Sequence, residues 1–294
     1  MRINNNLTGT HVNRLYTVNT KRMEKSIEKL TLGRRINRAV DDASGLAISE
    51  KLQSQIRGLR QGVRNAQDGI SLVQTIEGAL AETHSILHRM RDLAVQSASD
   101  TYQPEDRTEI QGEFEKLATE ITRIATDTEF NTKAVLDGST EVLGLIIALG
   151  SSGVGVDIAT GNMGALGLNL TSEVAGKVTL ENGLEVYYKD SGYLDIQSSE
   201  KASVAIAAID LAVQKVGKER TDLGAIQNKL ESAIANLGAT IENVQASESR
   251  MRDLDIPSEV MEYTKSQIIG SSVNMLLAHA NIEPKSIVPV LIGE

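Results

Sequence analysis

Three stretches of the chain repeat apolar residues at alternating steps of four and three, an average near 3.5 that holds one stripe of side chains against a partner helix. In the first, Leu72, Ile76, Ala79, Thr83, Ile86, Met90 and Leu93 recur. In the second, Ile110, Phe114, Leu117, Ile121 and Ile124 do the same. In the third, Leu230, Ile234, Leu237, Ile241 and Val244 continue the rhythm, with Leu223 one heptad before them and Met251 one heptad after. A single helix leaves such a stripe in water. The third stretch lies in a Pro-free segment from Lys201 to Leu254. As one helix that segment is about 80 Å long at about 1.5 Å per residue. It needs partners along its length, and the first two stretches supply them. The first stripe is weakest at its centre, where small Ala79 and polar Thr83 sit.

Composition points the same way. Aromatic residues make up 3% of the 294, and Trp is absent, so burial rests on aliphatic side chains packed between helices. The absence of Cys removes disulfide frameworks, thiol nucleophiles and cysteine metal sites. The formal net charge is −9, yet residues 1–38 carry nine Lys and Arg against Glu24 and Glu28. A basic arm suits nucleic acid or acidic neighbours in an assembly. No aromatic platform or known reader motif accompanies it, so no nucleic-acid partner is expected. The first residues hold no apolar core typical of a Sec signal, and no window of about 20 apolar residues predicts membrane insertion.

The middle differs. Between residues 129 and 199 the helical period vanishes and 11 of the 24 glycines appear. Leu143 to Ala148, the turn-like GSSG and Val154 to Ile158 predict a β-hairpin, and the Asn-Gly of LENGLEVYY (180–188) predicts another. The predicted fold is mainly α: long antiparallel helices in a coiled-coil-like bundle around a small β-hairpin region. The two outer parts pair across the middle, because neither buries its stripe alone.

The ends pose a separate question. Residues 1–40 show weak periodicity through Tyr16, Met23, Ile27 and Leu30. SQIIGSSVNMLLAHANI, residues 266–282, contains no Asp, Glu, Lys or Arg and is apolar on several faces. A helix apolar all round is normally enclosed. At a chain end it needs a deep slot in its own fold or neighbours from other chains.

No catalytic constellation stands out. His84 and His88 share one helix face, but HSILH lacks the Glu that a zincin places beside its first His; the pair reads as polar residues flanking the stripe. Asp41-Asp42 and Asp253/Asp255 read as solvent-facing or cap-like charges at helix junctions, since residues one or two apart on a helix diverge. The glycines of GSSGVG and TGNMGALG precede no GK[ST] and make no phosphate cradle. Neither an enzyme nor a cofactor is expected.

At this point the residues resemble a family. TLGRRINRAVDDASGLAISEKLQSQIRGL (31–59) and RNAQDGISLVQTIEGALAETHSILHRMRDLAVQSASD (64–100) closely resemble the N-terminal signature of bacterial flagellins. EFNTKAVLDG (129–138) is similar to the start of the family's hairpin region. LGAIQNKLESAIANL, ASESRMRDLDIPSEVMEYTKSQII and MLLAHAN resemble its C-terminal signature. The short middle implies little or no outer domain.

The resemblance implies a structural subunit that self-assembles into the motility filament, exported through the flagellar type III channel to the extracellular flagellum. The alternative is a hook–filament junction adaptor with flagellin-like arms. The implied organisation is an N-terminal arm over 1–44 and a C-terminal arm over 255–294, both in an inner coiled-coil layer. Between them lie the long helices and hairpin over 45–172, a short outward-facing segment over 173–200 and a long helix over 201–254. Ile27, Leu30, Ile268, Ile269, Val273, Met275, Leu276 and Leu277 are the expected inner-layer contacts. The implied partners are other copies of the chain, the flagellar cap and hook-junction proteins, and an export chaperone at the C-terminal arm. The family also implies a host Toll-like receptor, recognised through Arg89, Leu93 and Glu113.

Overall fold

The computed structural model describes residues 6–138, 143–146, 155–158, 162–164, 167–168, 170, 176–179, 185–188 and 192–292. Among the described residues there are five helices: α1 (Leu7–Leu32), α2 (Ala43–Ala98), α3 (Pro104–Asp127), α4 (Ser199–Arg252) and α5 (Ile256–Ile292). Two compact units form. One comprises residues 1–57 and 241–294, the other residues 58–240. The first therefore reaches beyond the arms expected to end at 44 and begin at 255, because it takes in the start of α2 and the end of α4.

Local chemistry sets the helix ends in the first unit. Asn6 caps α1, its side chain accepting from the Gly9 N–H at 2.7 Å. Gly33 ends α1 with φ of 64°, a left-handed conformation that glycine adopts without a Cβ penalty. Asp42 caps α2 by accepting from the Gly45 N–H at 2.9 Å. Asp41 accepts from the backbone of Asn37 and Arg38 and pairs with Lys25 at 2.7 Å. That hydrogen bond from Lys25, aided by the backbone donors, lowers the Asp41 carboxyl to about 2. The link between α1 and α2 then seals the junction of α4 and α5. Arg35 N–H donates to Arg252 O at 2.8 Å, Arg35 Nη2 to Met251 O at 2.8 Å, and Leu254 N–H to Gly33 O at 3.1 Å. Carbonyls left open at the end of α4 are thereby satisfied.

The second unit holds the main core. Short strands β1 (Glu129–Phe130) and β2 (Lys133–Ala134) follow α3 and form a hairpin. Its two central residues, Asn131 and Thr132, have φ of 51° and 64°, as a type I′ turn requires. The two hairpins expected in the middle are present. β3 (Leu143–Ile146) pairs antiparallel with β4 (Gly155–Ile158), and β5 (Gly176–Thr179) with β6 (Glu185–Tyr188). The GSSG and Asn-Gly turn residues lie outside the described residues.

Within this unit the buried stripe of α2 runs through Val73, Ile76, Leu80, Thr83, Leu87, Met90, Ala94 and Ser97. It shares Ile76, Thr83 and Met90 with the expected stripe. Its other half is displaced by one residue, so Ala79 and Ile86 are only half-buried beside fully enclosed Leu80 and Leu87. Leu72 and Leu93 are buried as well, which makes the enclosed face broader than a two-helix seam. The same offset recurs on α3. Gln111, Phe114, Ala118, Ile121 and Ala125 are enclosed and Ile110 is nearly so, while Leu117 and Ile124 are half-buried. Thr83 satisfies its hydroxyl by donating to Ala79 O at 3.0 Å.

On α4, Ala202, Ala205, Ala208, Ile209, Ala212, Val216, Leu223 and Leu230 are buried. Beyond Leu230 no residue of α4 is buried, and Ile234, Leu237, Ile241, Val244 and Met251 are half-buried.

The segment 173–200, expected to be short and outward-facing, also contributes Val186, Tyr188, Leu194 and Ile196 to the core cluster of the subunit. Gln111 on α3 holds this segment. Its Nε2 donates to Leu194 O at 2.9 Å, and its Oε1 accepts from the Ile196 N–H at 2.9 Å. Ser97 Oγ donates to Ile196 O, and Lys201 pairs with Asp195 at 2.7 Å. These bonds give the buried backbone groups of 194–196 their partners.

Candidate functional site

The candidate site is the surface of the α1–α5 pair in the first unit. The helices run antiparallel: Asn6 Nδ2 donates to Ala280 O at 2.7 Å, Asn19 Nδ2 to Ser266 O at 2.8 Å, and Lys29 meets Glu259 at 3.5 Å. The buried residues of α1 are Gly9, Val12, Asn19 and Ser26. Between Ile256 and Ile282, those of α5 are Ser266, Val273 and Ala280. Val12, Asn19 and Ser26 are one heptad apart, as are Ser266, Val273 and Ala280. One small or polar residue per heptad thus forms the seam on each helix.

The large apolar residues lie elsewhere. Met275 is 69% exposed, Ile268 62% and Leu276 57%, against 6% for Val273. Ile27 and Ile269 are exposed too, and Leu30 and Leu277 are half-buried. Leu7, Leu15, Val18, Leu32, Val260, Met261 and Ile282 extend the apolar surface along both helices. Of the eight residues expected to make inner-layer contacts, only Val273 is buried by α1 and α5 themselves. A search for large apolar residues at heptad spacing misses Asn19, Ser26, Ser266 and Ala280. The signal that finds them is the row of small residues every seven positions.

Exposed apolar surface on this scale marks an interaction face rather than a finished core. Its chemistry is burial. Among the described residues no group of three or more His, Asp and Glu is placed to hold a metal ion, and no helix is long and apolar enough to cross a membrane.

The expected recognition residues lie in the second unit. Arg89 on α2 and Glu113 on α3 are exposed and bonded to each other. Arg89 Nε and Nη2 reach Glu113 Oε1 at 3.1 and 2.7 Å. Leu93 is 2% exposed and belongs to the core, so it offers no apolar anchor at the surface; the width of the buried face on α2 encloses it.

Residues 3–141 match the bacterial flagellin N-terminal helical region, and residues 206–291 match the bacterial flagellin C-terminal helical region. The flagellin of Halalkalibacterium halodurans is 42% identical over 99% of this chain and 100% of its own length. A flagellar filament 30.7 kDa core protein of Treponema maltophilum is 40% identical over 99% of this chain and 100% of its own. The flagellin of Bacillus subtilis is 39% identical at the same coverage. A solved flagellar hook-associated protein of Vibrio parahaemolyticus is 15% identical, with a TM-score of 0.57 over 72% of this chain and 100% of its own, a likeness of fold alone. The paired terminal helices, their outward apolar faces and both matched regions lead to one conclusion: the chain belongs to the bacterial flagellin family, in a short form, and is a structural subunit of the flagellar filament.

Proposed function

We propose that the subunit polymerises through the outward faces of α1 and α5, and that ordering of these arms is coupled to assembly. The observation that carries this reading is the inverted pair: small residues in the seam, Ile268, Met275 and Leu276 in solvent. One small side chain per heptad buries little apolar area. Fixing each residue costs about 1–2 kcal/mol of backbone entropy. An isolated arm pair falls short of that cost, whereas neighbours burying side chains of this size recover about 1.5–3 kcal/mol each. The arms then form the innermost layer of an extracellular filament.

Before export the same apolar surface is a liability, which supports a chaperone that holds the C-terminal arm. Contacts with cap and hook-junction proteins use the same arms, since those partners meet the filament ends. Host-receptor recognition would centre on the exposed Arg89–Glu113 pair, with Leu93 acting from within to hold α2.

The test is assembly from short filament seeds. Met275→Asp and Ile268→Asp should each stop growth while residues 58–240 keep their helical content. Filaments of normal length from both variants would refute the assignment of this face.

A further inference from the structure

We propose that His84 and His88 on α2 form a two-imidazole site for a divalent transition metal that favours square-planar or tetragonal nitrogen coordination, copper(II) or nickel(II). The two residues stand one turn apart on one helix face, His88 exposed and His84 half-buried. Their Nε2 atoms approach to 3.0 Å, and their rings stand edge to face with centroids 4.5 Å apart.

That separation suits two neighbouring ligands of one ion. At a metal–nitrogen distance of about 2.05 Å, two nitrogens 3.0 Å apart subtend an angle of about 94° at the ion. Square-planar and tetragonal ions place neighbouring ligands at about 90°. A tetrahedral ion needs about 109°, hence nitrogens about 3.3 Å apart. The pair can therefore span two adjacent positions of copper(II) or nickel(II) once each ring turns its Nε2 lone pair about 43° off the line between the two nitrogens, and water completes the shell.

The electrostatics set the strength. The same approach is an N–H···N hydrogen bond, so one ring carries its proton on Nε2. Ligation through both Nε2 atoms needs the proton of that ring on Nδ1. Burial, then His88 and Arg220, lower the His84 pKa, which keeps its imidazole neutral and able to ligate. Arg220 opposes a cation here, and Glu77, 3.7 Å from Arg220, offsets part of its charge. His84 Nδ1 is buried without a hydrogen-bond partner. It lacks the carboxylate or carbonyl that strengthens a ligating imidazole, so the affinity is modest.

The experiment titrates the full-length monomer with copper(II), read by electron paramagnetic resonance. Wild type should take one ion per chain at this site, with the hyperfine pattern of two nitrogen donors. His88→Asn, at an exposed position, should weaken binding by at least about tenfold and remove that pattern. A His11→Asn/His279→Asn variant should bind as wild type does. Nickel(II) should raise the melting temperature of wild type but not of His88→Asn. Equal affinity in wild type and His88→Asn, or a wild-type spectrum without two nitrogen donors, would overturn the proposal.

Discussion

Asn19 and Ser266 meet in the buried seam of α1 and α5, where the Asn19 amide donates to the Ser266 carbonyl at 2.8 Å. A polar side chain at a seam position fixes register, because sliding either helix leaves it buried without a partner. Asn19→Leu should therefore loosen register while adding apolar contact. A disulfide between Val12→Cys and Val273→Cys, positions that the Asn6–Ala280 and Asn19–Ser266 bonds place in register, should close fully in filaments of otherwise native sequence. In the Asn19→Leu background it should close only in part, and the shifted pair Val12→Cys/Ala280→Cys should begin to close. Unchanged cross-linking would show that Asn19 does not set the register.

The displaced stripe on α2 separates two neighbours. Leu87 is fully enclosed and Ile86 is half-buried. Leu87→Ala should cost about 2–5 kcal/mol and Ile86→Ala distinctly less. Chemical denaturation of the monomer measures both, and equal losses would restore the stripe through Ile86.

Gln111 should be intolerant of apolar replacement. Gln111→Leu leaves Leu194 O and the Ile196 N–H buried without their side-chain partner, at about 1–3 kcal/mol for each group left unsatisfied. Deleting residues 173–198 removes Val186, Leu194 and Ile196 from the core, so it should lower the melting temperature sharply. A deletion variant as stable as the parent would place these residues outside the core.

Thr132 is β-branched at φ of 64° in a turn that suits glycine. Thr132→Gly should stabilise the β1–β2 hairpin by up to about 1–2 kcal/mol, the cost of the left-handed conformation, less glycine's greater entropy in the unfolded chain. Calorimetry of the monomer checks the sign, and a lower melting temperature would contradict it.

Much of the architecture was legible because 3.5-residue periodicity, Pro-free length and Gly-rich punctuation are local signals. The long helices of α2 and α4 and the hairpins at 143–158 and 176–188 follow from them. The rotation of the stripe was less legible. Periodicity marks a stripe, but several elements packed around α2 widen its buried face, and Leu80 and Leu87 take the centre in place of Ala79 and Ile86. The docking of 192–196 depends on Gln111, a polar residue whose role appears only when two distant segments meet. In the arms the logic runs the other way. The eye follows Ile268, Met275 and Leu276, while the seam itself is built from Asn19, Ser26, Ser266 and Ala280.

Coupling between arm ordering and polymerisation is the central claim, and amide hydrogen exchange of monomer against filament tests it most directly. Residues 7–32 and 256–282 should exchange within seconds in the monomer and be strongly protected in the filament, while the core of 58–240 is protected in both. Equal protection of the arms in the two states would contradict the account.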